Sequence, residues 1–120
     1  MIKGFNRQEK KAIIAILKFI IHADGVIMDN EIAKFNELAE RKGFEDFADV
    51  FNEVDREVRT LDDLRGVIAA VTSETHRNDI LKYAVEIALA DISIKPEEAQ
   101  ILKLVGKEWK INITALMKGK

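Results

Sequence analysis

The sequence predicts one all-α domain over residues 1–120, a compact bundle of about seven helices that includes two repeated helical hairpins. Three observations carry this. Apolar residues recur at spacings of three and four almost throughout, which is the mark of helices burying one face. No convincing strand pair or hairpin signal is present, SIK and INI being too short to count. The phrase HADGVIMDNE at His22 to Glu31 returns in altered form as LADISIKPEE at Leu89 to Glu98. A chain of this length buries roughly two-thirds of its unfolded surface, enough for one core.

The first helix starts after Asn6 as cap and runs to about His22, with Ile13, Ile16, Leu17 and Ile20 on one stripe. Ile14 and Ile21 widen that stripe, so the helix is expected at the centre. A second helix over about 29–42 buries Ile32, Phe35, Leu38 and Ala39. Gly43 stands where a left-handed cap is wanted, and Phe44 is expected to pack back. The third helix sets Phe47, Val50, Phe51, Val54 and Val58 against its acids. Thr60 and Asp63 have the spacing of a capping box before Leu64, Val67, Ile68 and Val71. Ser73 or Asn78 caps a fifth helix whose stripe is Ile80, Leu81, Ala84, Ile87 and Ala88. Pro96, suited to a first helical position, opens a sixth with Ile101, Leu102 and Val105, closed by Trp109 and Ile111. Asn112 caps a last short helix through Leu116 and Met117.

Composition narrows the function classes. The chain has no cysteine, which excludes disulfides, thiolate metal sites and a cysteine nucleophile and fits a reducing compartment, so the cytoplasm is the expected location. The apolar run AIIAILKFII is interrupted by Lys18 and falls short of the roughly 20 residues that span a bilayer, so neither a signal peptide nor a membrane span is expected. Net charge is −2 but unevenly spread. Residues 1–18 and 103–120 each carry five bases and one acid, whereas 45–63 carry eight acids against Arg56 and Arg59. That acidic segment argues against a nucleic-acid-binding face there and for a solvated helix face. The acidic face and the basic ends suit complementary protein partners, another copy of the chain included.

A shift of 67 residues aligns Ile20 with Ile87, Ala23 with Ala90, Asp24 with Asp91, Ile27 with Ile94 and Glu31 with Glu98. These identities fall at equivalent points of two predicted helix-turn-helix units, which makes a duplicated hairpin credible. Here the chain resembles the TerB-like domains of tellurite-resistance proteins and of a membrane-anchored J-domain co-chaperone, whose hairpins turn at Ala-Asp-Gly-x-Ile-(Asp/Ser)-x-x-Glu. Residues Ala23 to Glu31 match this pattern; Ala90 to Glu98 have Ile92 in place of the glycine. Met28 and Lys95 stand where the pattern has an Asp or Ser cap, so another group must hold those helix starts. The expected holders are Asp24 and Asp91, each turning across its loop to accept N–H groups of the next helix.

The first phrase also looks like half a calcium loop. With Gly25 as the loop glycine, however, Ile20 and His22 fall at the first and third ligand positions, where oxygen is required. The resemblance implies a different site, a weak oxygen site for calcium, magnesium or manganese formed by Asp24, Glu31, Asp91 and Glu98. The simpler expectation is that these acids cap helices and solubilise the turns. His22 and His76 lack metal-ligand spacing and are expected to be structural or exposed. No catalytic residue is assigned, since neither nucleophile logic around Thr72, Ser73 and Thr75 nor a glycine-rich phosphate loop is present. The resemblance implies a non-enzymatic intracellular interaction or stress-sensing module with a protein partner. The alternative is a small hydrolase or transferase using Asp24 and Asp91 as paired carboxylates in a bundle cleft.

Overall fold

The computed structural model describes residues 5–22, 28–41, 43–89 and 96–111, without the side chains of 87–89 and 98. They form α1 (Arg7–Ile21), α2 (Asp29–Arg41), α3 (Phe47–Glu57), α4 (Leu61–Ala69), α5 (Glu74–Leu89) and α6 (Pro96–Trp109). There is no strand among the described residues, and the expected seventh helix at 112–117 lies outside them.

Local chemistry sets most helix ends. Asn6 accepts the Glu9 N–H at 2.9 Å while the Glu9 carboxylate accepts the Asn6 N–H at 2.8 Å, a reciprocal capping box on α1. Thr60 and Asp63 form the predicted box on α4, and Asp63 also accepts the Arg59 N–H at 3.0 Å. These backbone donors, Arg59 first, hold the Asp63 carboxyl below its ordinary range. Of the two expected caps for α5, Ser73 is the one used: its hydroxyl accepts the His76 N–H at 3.3 Å. At the end of α2, Gly43 takes φ +89°, the Phe44 N–H reaches the Ala39 carbonyl at 2.9 Å and the Gly43 N–H reaches Glu40 at 3.0 Å. This is a Schellman closure, and Phe44 packs back fully buried.

The core is organised around α1, which packs against α3, α4, α5 and α6. Every residue from Lys11 to Ile21 is buried, including Lys18 at 3% exposure. A buried ammonium requires partners, and Lys18 donates to Asp55 at 3.1 Å and to the Val58 carbonyl at 3.0 Å. It belongs to a row. Lys10 meets Asp46 at 3.2 Å, Lys11 meets Glu53 at 3.0 Å and Glu57 at 2.6 Å, and Arg7 also binds Glu53. Hydrogen bonds from Arg7 and then Lys11 hold Glu53 below the usual carboxylate range, and the bond to Glu57 raises Lys11. Arg7, Lys10, Lys11 and Lys18 are thus matched within the chain to four acids of the 45–63 segment, Asp46, Glu53, Asp55 and Glu57, while most of that segment's acids remain exposed, as a solvated helix face requires.

The duplication holds at the starts of the two helix pairs it relates, α1 with α5 and α2 with α6. Asn6 and Ser73 as caps, Arg7 and Glu74 as first residues, and Asp29 and Pro96 in the second helices all keep the offset of 67. The closure of α6 repeats that of α2: the Ile111 N–H reaches Gly106 at 2.8 Å and the Lys110 N–H reaches Lys107 at 3.4 Å. Lys110, at φ +58°, stands where the first hairpin has Gly43.

Candidate functional site

The four acids singled out from sequence belong to the segments that join α1 to α2 and α5 to α6 or to the helix starts that follow them in the chain. Asp24 and Asp91 fall outside the described residues, as does the side chain of Glu98, whose backbone is in the first turn of α6. The hypothesis that Asp24 and Asp91 accept N–H groups across their loops therefore also falls outside them.

Glu31 is the acid whose surroundings are defined. It is the third residue of α2, one helical turn from Met28, which precedes the helix. Its carboxylate accepts the Met28 N–H at 2.9 Å, and the Met28 carbonyl accepts from the Glu31 and Ile32 N–H groups, both at 3.0 Å. Glu31 thus supplies half of a capping box, the half that does not depend on the methionine side chain. It answers the capping question raised by Met28. Both Glu31 oxygens also lie 3.0 Å from His22 Nε2 at the end of α1. This imidazole–carboxylate pair spans the turn and ties the two helices of the first hairpin together.

The other histidine makes the same kind of contact. His76 Nδ1 lies 2.6 Å from Glu9, which is 5% exposed and already caps α1. The His76 ring packs edge-to-face with Phe5, with centroids 5.1 Å apart. Glu9 and His76 occupy the same position in the two copies of the repeat, so the copies meet through equivalent residues. Neither pairing was anticipated from sequence. The offset of 67 also relates Glu9 to His76, a correspondence that the sequence contains and that could have found the second pair.

Between α1, α2 and α3 the side chains of Leu17, Ile21, Ile32, Phe35, Phe47 and Phe51 leave only a shallow apolar crease, too narrow for a water molecule, with Lys18 at its side. The Lys18 ammonium is engaged by Asp55 and Val58, so the crease gains no reactive amine from it. Among the described residues, no three histidine, aspartate or glutamate side chains are grouped so that they could hold a metal ion, and no helix is long and apolar enough to cross a membrane.

A family model described as tellurite resistance protein TerB matches residues 10–118, nearly the whole chain. Neither a curated protein nor a solved structure gives a significant match.

Proposed function

The chain belongs to the TerB family, and from that premise we propose that it is a non-enzymatic cytoplasmic interaction and stress-sensing module, tuned by a divalent cation at its hairpin turns. The supporting observation is the placement of Glu31, whose carboxylate is held at the mouth of the first turn by the Met28 N–H and faces His22. Asp24, Glu31, Asp91 and Glu98 are the residues that would hold the cation. An all-oxygen donor set suits calcium, magnesium or manganese, and a bound ion would neutralise acids near helix ends and join the two turns. An ion would have to compete with His22 for Glu31, consistent with a weak site.

Amide NMR of the labelled protein, titrated with calcium and then magnesium, tests the cation. Shifts centred on residues 22–31 and 89–98 are expected; a flat titration at millimolar ion defeats it. The hydrolase or transferase reading requires Asp24 and Asp91 in one cleft, and no observation among the described residues favours it.

A further inference from the structure

The second helices of the two hairpins correspond in the repeat but are held unequally. α6 buries Ile101, Leu102, Val105 and Trp109 and packs on the central α1, and the Trp109 indole N–H reaches the Ile68 carbonyl at 2.9 Å. α2 buries only Phe35 and Ala39 of its 13 residues and packs mainly on α3 and α5. On its inner side, Ile32 and Phe35 meet Leu17 and Ile21 of α1 and Phe47 and Phe51 of α3 at the shallow crease, a seam that the side chains do not fill. Elements with few buried apolar side chains are the ones that open first in a folded protein.

Both ends of α2 suit a unit that moves. At its start Met28 is 59% exposed, and Glu31 ties the first turn to His22, both carboxylate oxygens lying 3.0 Å from Nε2. A partly exposed pair of this kind holds weakly. At its other end Gly43 takes φ +89° with open space where a Cβ would stand, and Phe44 beyond it is fully buried and packs edge-to-face with Phe47 at 5.4 Å. A glycine beside a fixed anchor is a position at which a hinge absorbs its change of φ and ψ.

We propose that α2 is a lid. It opens as one unit about Gly43, breaks the His22–Glu31 latch, and lays bare the apolar face of Leu17, Ile21, Phe47 and Phe51 while α1 and α3 stay folded. This goes beyond the reading of the chain as an interaction module, giving such a module a face that is hidden while α2 is closed, and it does not depend on the cation.

Amide hydrogen exchange of the labelled full chain, followed by NMR in low and rising urea, tests it. The amides of residues 33–41 should exchange at least about tenfold faster than the slowest of α1, with one shared and shallower urea slope, because opening α2 exposes less surface than unfolding. Ile68→Val removes a buried methyl from α4, which packs on α1 and α6, and should speed the α1 amides about two- to tenfold while leaving those of α2 unchanged. His22→Ala should speed the α2 amides about two- to fivefold; an unchanged rate overturns the latch. The chain has no cysteine, so Leu17→Cys provides a single thiol on the covered face, and its modification by a maleimide should keep pace with the α2 amides of that variant. Labelling at the α1 pace overturns the uncovering of that face. If the α2 amides share the α1 urea slope and Ile68→Val speeds both helices alike, α2 leaves only when the whole chain unfolds and there is no lid. Rates graded inward from the ends of α2 without a shared slope show fraying, and overturn the single moving unit.

Discussion

α1 and α5 are equivalent helices of a duplicated hairpin, yet α1 is buried over every side from Lys11 to Ile21 while α5 keeps a face toward solvent. Position by position, Ala15 is buried where Lys82 is exposed, and Phe19 at 2% exposure corresponds to Glu86. Shared positions stay apolar in both: Ile13 with Ile80, Ile14 with Leu81 and Leu17 with Ala84 are all buried. The difference comes from α3 and α4, which pack against α1 as well as α5 does. Lys18 corresponds to Val85, and it remains buried because α3 brings Asp55 and the Val58 carbonyl to its ammonium. A repeat thus conserves the stripe that its two copies share, and the third element to arrive decides what the opposite face must be.

Exchanging residues between the copies is the strongest way to break the comparison. Ala15→Lys places in α1 the residue that α5 carries, and burying an unpartnered ammonium there should cost at least about 3 kcal/mol in urea denaturation. Lys82→Ala, the reverse exchange, should stay within about 0.5 kcal/mol. Equal effects would show that α1 is no more enclosed than α5.

The two histidine–glutamate pairs sharpen it next. His76→Ala leaves the 5%-exposed Glu9 carboxylate with only the Asn6 N–H, and should cost about 1–3 kcal/mol. His22→Ala removes the same chemistry at a site where the imidazole is 42% exposed, and should cost under about 1 kcal/mol. Thermal unfolding of both variants would rank the link between the hairpins above the link within one.

The two helix ends should respond with opposite signs. A Cβ at Gly43 would touch nothing within 4 Å, so Gly43→Ala tests the backbone alone and should destabilise by about 1 kcal/mol. Lys110→Gly, at φ +58°, should stabilise by up to about 1 kcal/mol. The smallest effect is expected between the repeats, at the α4 cap. Asp63 has a folded-state pKa below its unfolded value, so its contribution is complete above the unfolded value and is lost as pH falls through the folded one. Asp63→Asn should therefore flatten the stability profile on the acid side of about pH 4 and weaken the protein at neutral pH. An unchanged acid limb would remove this carboxylate from the cap.

Sequence by itself determined the features governed by neighbours three to five residues apart. Asn6, the Thr60–Asp63 box, the glycine closure at Gly43 with Phe44 behind it, and the Pro96 start were legible because a helix end needs its partners within one turn. The TerB family could likewise be named from the repeated turn. Tertiary structure alone decided the rest. That Lys18 is buried, that α1 spends its bases on Asp46 and the acids of α3, that Glu9 meets His76, and that Glu31 faces His22 all join residues from different helices or across a turn. Periodicity says which face of a helix is apolar, but the partner of a charge depends on which helix comes to lie against it, and that is settled only when the core closes.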